Sequence, residues 1–228
     1  KRQPIFTFSQ VEKNDIKSKK NFYKWDIGIN GGVNINNPLI SDSLSLGNIS
    51  SQGTLYGLTV VYHFNRFFAF KADFDIENRG WSMKEFGSSI SAGQTIPELK
   101  DITQVLDYFD IPAFMHIGFG KKFQIDLNIG PYFGFKIKDE IYSYEPDGTV
   151  LDDSKTRGRI GLREFDNFDY GLVYGIGFDY MIHERFSIGF DALYEKGMKI
   201  INNGDYKNSS IDFDFGINFH LGKKKKKK

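Results

Sequence analysis

The groups in this 228-residue chain that could move protons, hold cations or attack a substrate are four histidines and a dense set of carboxylates. The histidines are His63, His116, His183 and His220. The charged residues follow a rule: Lys71, Asp73, Asp75, Glu77 and Arg79 recur at every second position, with the apolar Ala72, Phe74 and Ile76 between them. A spacing of two places one set on one face of a strand and the other set on the opposite face. Asp110, His116, Asp126, Lys136, Asp169, Asp179, Asp191, Glu195 and Asp214 fall on the polar side of similar alternations, and Lys24 and Lys199 add two cations. Gathered into one interior, these side chains could form a salt-bridged plug, a proton path or a cation conduit.

Other chemistries find less support. The absence of cysteine excludes a disulfide scaffold, a thiolate zinc site and a cysteine nucleophile. Asp147-Gly148 with Asp152 and Asp153 has a superficial likeness to a calcium loop. It lacks the ligand spacing and closing glutamate of an EF-hand, so Pro146-Asp147-Gly148 reads as a hairpin turn. No glycine-rich phosphate loop is present, since Gly175 and Gly177 belong to a strand pattern. Neither metal nor cofactor is expected.

The elements that carry these residues all show the same period. In residues 23–36 the odd positions from Tyr23 to Ile35 are apolar or glycine, and the even ones are Lys24, Asp26, Gly28, Asn30, Gly32, Asn34 and Asn36. The pattern returns in 53–64, 67–81, 105–119, 123–137, 165–182, 186–201 and 209–221. Eight amphipathic strands are therefore expected. Short turns at 65–66, 120–122 and 183–185 alternate with longer polar connections at 37–52, 82–104, 138–164 and 202–208. Short turns at one end and long loops at the other describe an up-and-down meander. An even strand number lets the sheet close without exposed edges.

Period two does not say which face is inside. Three features place the polar face inward, as in a transmembrane barrel. The polar set is rich in glycine (Gly28, Gly32, Gly130, Gly134, Gly171, Gly175, Gly177, Gly189 and Gly216), which suits a narrow lumen and would weaken an exposed sheet. The apolar set is nearly all bulky. Tyr23, Trp25, Tyr56, Trp81, Tyr170, Tyr180 and Tyr194 lie toward strand ends, where interfacial aromatic girdles sit. The fold class expected is thus all-β, an eight-stranded antiparallel up-and-down transmembrane barrel over residues 23–222. Residues 1–22 read as a polar periplasmic leader and 223–228 as a lysine tail. Without that tail, 24 basic and 29 acidic residues leave a net charge of −5, which speaks against a nucleic-acid partner.

Five segments resemble the PorT-type outer-membrane barrel family of Bacteroidetes-like bacteria. They are 25–36 (WDIGINGGVNIN), 106–112 (LDYFDIP), 121–134 (KKFQIDLNIGPYFG), 168–180 (FDYGLVYGIGFDY) and 186–196 (FSIGFDALYEK). The resemblance implies an integral protein of the bacterial outer membrane, with outer-membrane lipid and other envelope proteins as its surroundings. Periplasmic termini and external long loops complete the expected arrangement. Some members of that family serve type IX secretion and gliding. The function expected is non-enzymatic: a structural or binding component acting through the loops or the periplasmic ends. An accessory of a secretion or gliding complex is one alternative and a lipid-modifying enzyme is another. The enzyme is disfavoured because the alternation puts His63, His116 and His220 inward and His183 in a turn, leaving no histidine toward lipid.

Overall fold

The computed structural model describes residues 23–39, 50–86, 90–91, 94–95, 99–145, 147–160, 164–202 and 206–222. The leader and the lysine tail lie outside the described residues. In chain order the elements are β1 (Trp25–Asn36), β2 (Ser51–His63), β3 (Phe68–Asn78), β4 (Trp81–Phe86), the two-residue pair β5 (Ile90–Ser91) and β6 (Gln94–Thr95), β7 (Leu99–Gly120) and β8 (Phe123–Tyr144). There follow β9 (Val150–Leu151), helix α1 (Asp153–Ile160), β10 (Phe168–His183), β11 (Phe186–Gly197) and β12 (Ser209–Leu221).

Eight of the strands form a ring in the order β1-β2-β3-β7-β8-β10-β11-β12. The ring is completed where β12 pairs with β1, with Asp26 opposite His220 and Asn36 opposite Ser210. Every pairing is antiparallel, as an up-and-down barrel requires. Closure satisfies the backbone along all eight strands, which hydrocarbon surroundings demand. The outer face is a belt of exposed apolar side chains, including Ile29 at 60%, Ile129 at 57% and Phe215 at 63% exposure. At the short-turn end Trp25 packs edge-on against Tyr62, and across β10 and β11 Tyr174 meets Tyr194. Two expected girdle members sit elsewhere. Tyr23 stacks on the inward His220, and Trp81 is buried inside the molecule.

Strands β7 and β8 are much longer than the alternation foretells. Each runs 22 residues and rises past the apolar belt as a hairpin, joined along its β7 side by β4. The segments expected to be long loops at 82–104 and 138–164 are therefore largely structured. Inside this upper part, Trp81, Ile102, Leu106, Tyr108, Ile141, Leu151, Phe165, Ile201 and Tyr206 form a buried apolar core. Helix α1 covers β8: the Ile141 amide donates to Asp153 Oδ1 (2.9 Å), and Ser143 Oγ lies 2.9 Å from Thr156 Oγ1. The helix begins there because Asp152 caps it, accepting from the Lys155 amide at 3.1 Å.

The two strands change character at the same height by different means. In β7 the apolar residues switch parity between the inward Tyr108 and the outward Phe109. In β8 the register slips by one, since Tyr108 faces Lys136 while Asp107 faces Lys138. Ile137 and Lys138 then both point outward, and the odd positions, outward as far as Ile137, turn inward at Asp139 and Ile141. Such a β-bulge re-aims every side chain beyond it. Above it Lys138 and Glu140 face outward and pair at 3.1 Å.

Candidate functional site

The lumen is layered. Nearest the short turns, Asp26 lies between two histidines: Oδ2 is 2.7 Å from His63 Nε2 and Oδ1 is 2.7 Å from His220 Nδ1. β1 brings Asp26, β2 brings His63 and β12 brings His220, so the clamp bridges both neighbours of the first strand. A cavity of about 480 Å³ opens at this end, lined by these groups, by Arg66, Lys121 and Lys122 at the turns, and by Lys71 and His116 at its floor.

The next layer is built on Lys71, whose Nζ is 2.7 Å from Asp191 Oδ2 and 3.5 Å from Asp73 Oδ2. Amides tie the carboxylates together. Asn30 Nδ2 donates to Asp75 (2.8 Å) and Asp214 (3.1 Å), and Asn128 Nδ2 donates to Asp191 Oδ1 (2.9 Å). His116 and Asp126 also stand at this level, 3.4 Å apart, with Asp179 beside them. Above comes an apolar stopper of Phe114, Tyr132, Val173 and Leu193. Glycines give these four their room: Gly130 lies against Phe114 and Gly171 against Tyr132, while Val173 stands opposite Gly130 and Leu193 opposite Gly175.

Over the stopper sits Arg79, 2% exposed, which meets three carboxylates at once. Its Nη2 bonds Glu77 at 2.8 Å and also bonds Asp110 and Glu195, while its guanidinium lies 4.6 Å over the Tyr132 ring. Tyr132 in turn donates to Asp169 (2.9 Å), which also accepts from Asn208 (2.7 Å). A guanidinium suits this place because its fork of donors can serve several acceptors together.

Of the residues expected inside, Lys71, Asp73, Asp75, Arg79, Asp110, His116, Asp126, Asp169, Asp179, Asp191, Glu195 and Asp214 all face the lumen, in two clusters separated by the stopper. Lys136 also points in, but at the top, where it binds Asp139 (2.9 Å) and the Phe165 carbonyl and so belongs to the upper core. Lys24 and Lys199 are not interior. Lys24 is exposed over the Tyr62 ring, and Lys199 pairs with Asp166 at 2.8 Å on the rim. Both lie at strand ends, where the alternation no longer dictates direction.

Asp139 organises the junction above the belt. It accepts from Lys136, from the Phe165 amide (2.8 Å), from Gln104 (2.8 Å) and from Arg157 of α1. Burial alone would push this carboxyl up, but the donors from Lys136, Phe165 and Arg157 outweigh it and hold the group below its ordinary range.

The amide bridges of Asn30 and Asn128 and the His63–Asp26–His220 clamp escape a search for chemistry-bearing spacing. The clamp is nevertheless written in the alternation. Asp26 and His220 both lie on inward positions near the chain ends of the barrel, and closing the ring must bring them side by side.

The search of curated proteins gave no match. Among solved structures, the attachment invasion locus protein Ail of Yersinia pestis is similar at 14% identity, covering 87% of this chain and 99% of its own, with a TM-score of 0.44. OprG of Pseudomonas aeruginosa is similar at 17% identity, covering 90% of this chain and 100% of its own, with a TM-score of 0.46. Neisserial surface protein A is similar at 12% identity, covering 86% and 97%, with a TM-score of 0.45. A family model described as outer membrane protein beta-barrel domain matches residues 8–203, and it does not separate PorT-type barrels from others. The chain belongs to the outer membrane protein beta-barrel domain family, and it is an integral barrel of the bacterial outer membrane.

Proposed function

We propose that this barrel is a non-enzymatic structural or binding component whose working surface is the structured cap at its long-loop end. The observation that carries this reading is the stopper. Phe114, Tyr132 and Val173 are fully buried across the middle of the lumen, the Arg79 cluster lies on top of them, and the cavity from the short turns ends below. Such a barrel offers solutes no route, which leaves its ends for function. A rigid scaffold carrying an ordered projection is where binding usually resides. Short turns inside and long connections outside would set the cap in the medium and the termini in the periplasm.

Bilayer recordings test the stopper: the purified protein is expected to give no conductance, and steady open-channel currents would sink the reading. The orientation is checked with single cysteines, which label cleanly because the chain has none of its own. Ser154→Cys on α1 should react with an impermeant reagent on intact cells, and Glu184→Cys in a short turn only after permeabilisation.

The PorT-like segments support a narrower second reading, an accessory of a type IX secretion or gliding complex. Copurification after mild detergent extraction separates the two, since a stoichiometric partner favours the complex and a solitary barrel favours the first reading. The lipid-modifying alternative has less behind it. Among the described residues His63, His116 and His220 face the lumen or its mouth and His183 ends a strand at a turn, so none is set against acyl chains. A lipid A mass difference that depends on the gene would revive it.

A further inference from the structure

The geometry points to a divalent transition-metal site in the lower lumen, made by His116 of β7, Asp126 of β8 and Asp179 of β10. The three side chains come from adjacent strands, and one ligand atom from each lies within 4.8 Å of the others. His116 Nε2 and Asp126 Oδ1 are 3.4 Å apart. Two ligands on a tetrahedral ion with bonds of about 2.0–2.1 Å stand roughly 3.3 Å from each other, so the pair needs almost no adjustment.

The hydrogen bonds say which atoms are free to ligate. Asn128 Nδ2 donates to Asp191 Oδ1, which turns the Asn128 carbonyl oxygen toward His116. That oxygen, 2.8 Å from His116 Nδ1, can only accept, so Nδ1 carries the proton and Nε2 presents its lone pair to the carboxylates. An imidazole oriented by its second nitrogen is the usual arrangement of a metal-binding histidine. Asp126 supplies an independent sign. It is 1% exposed, and its Oδ1, aimed at the trio, has no hydrogen-bond partner; Oδ1 of Asp179 has none either. Two carboxylates crowded against an imidazole in a buried place would be relieved by a shared cation.

The backbone leaves room for one. Asp126 stands opposite Gly118 on β7 and Gly177 on β10. A Cβ added at Gly118 would lie 2.8 Å from Asp126 Oδ1 and 3.6 Å from His116 Nε2, within the space between the ligands. His116 and Asp179 line the cavity open to the short-turn end, so an ion can enter from that side without crossing the stopper. One nitrogen and two carboxylate oxygens suit a borderline ion such as Zn²⁺ or Co²⁺ better than Mg²⁺, which holds its waters and prefers oxygen alone.

The test uses the full-length protein folded in detergent micelles, titrated with Zn²⁺, Co²⁺ and Mg²⁺ by calorimetry, with Co²⁺ also followed by its visible absorption. One Zn²⁺ per chain is expected, with displaceable Co²⁺ and no competition from Mg²⁺. His116→Ala and Asp179→Asn should abolish binding, and Gly118→Ala should do so without removing a ligand. Asn128→Ala should weaken binding about 10–100-fold. His63→Ala, in the same cavity but outside the trio, should bind as the parent does. The heat-dependent shift in electrophoretic mobility verifies that each variant is folded, and Asp179→Asn, isosteric with its parent, serves if His116→Ala is not. No Zn²⁺ uptake by the parent would reduce the trio to a His116–Asp126 ion pair and overturn the site. So would uptake that survives His116→Ala and Asp179→Asn, or that vanishes with His63→Ala.

Discussion

The lower barrel and the cap are the same sheet turned inside out. Below Tyr108 and Ile137, phenylalanine and isoleucine point outward while Lys71, Arg79 and their carboxylates fill the interior. Above that line Ile102, Leu106 and Ile141 are the interior, and Lys138 and Glu140 face out. The hydrogen-bond ladder continues through the change, and the backbone marks it with a one-residue slip in register between Asp107 and Tyr108. What changes is the solvent. In hydrocarbon an apolar side chain gains nothing by being inside, and a charged one is costly outside. In water the preference is the ordinary one. The contrast teaches that amphipathic strands carry two readings, and that the surroundings choose between them residue by residue.

The severest way to break the lower half is to remove its central cation. Arg79→Met would leave Glu77, Asp110 and Glu195 facing one another without a partner. Losing one side of a buried ion pair costs about 3–5 kcal/mol, to be read as a lower urea midpoint in lipid vesicles. Adding Asp110→Asn and Glu195→Gln should restore much of the loss. If Arg79→Met alone is neutral, the cluster is not holding the barrel.

A truncation in the upper half should act differently. Ile102→Ala removes a fully buried side chain from the cap, a change worth about 2–5 kcal/mol. The damage should stay local: protease cuts appear within residues 138–164 while the heat-dependent mobility shift of the barrel persists. Loss of that shift would show that cap and barrel fold as one unit.

The outer faces sharpen the contrast further. Ile129→Arg puts a charge on the lipid side of β8, and near the bilayer midplane such a substitution costs about 2–4 kcal/mol. Lys138→Ile, one turn of the alternation beyond the bulge, should leave the midpoint unchanged. Equal penalties at both positions would deny that a boundary lies between them.

The smallest effect is expected with pH. Asp139 is held below its ordinary range by its donors, so the folded cap binds this proton less readily than the unfolded chain. Its contribution is complete above the unfolded carboxylate value of about 3.9 and is lost as pH falls through the lower folded value. Cap proteolysis should therefore rise on acidification below that range, and Asp139→Asn should remove the dependence.

Much of this was legible in the chain and some was not, for physical reasons. The eight crossings follow from period two, and the inward placement of Lys71 through Arg79 needs only that period and a lipid exterior. The upper strands are hidden because the run Lys138-Asp139-Glu140 is wholly charged, which makes 138–164 look like a loop. Apolar residues such as Ile141 keep their odd positions across the slip, so nothing in the spacing announces that they have changed sides. Phe114 and Tyr132 fit inside because of their neighbours: Gly130 lies against the Phe114 backbone, and a Cβ added at Gly171 would stand 2.6 Å from the Tyr132 ring. The His116, Asp126 and Asp179 trio is scattered along the sequence and is assembled only by strand neighbourhood.

The Asp26–His220 contact spans 194 positions of the chain and lies on the seam between the first strand and the last. A contact of that separation joins the two ends of the chain's ribbon and is among the most costly to close. The seam therefore carries its own latch. A chain lacking its last strand forfeits that latch together with the ladder it secures, and remains a ribbon with two raw edges.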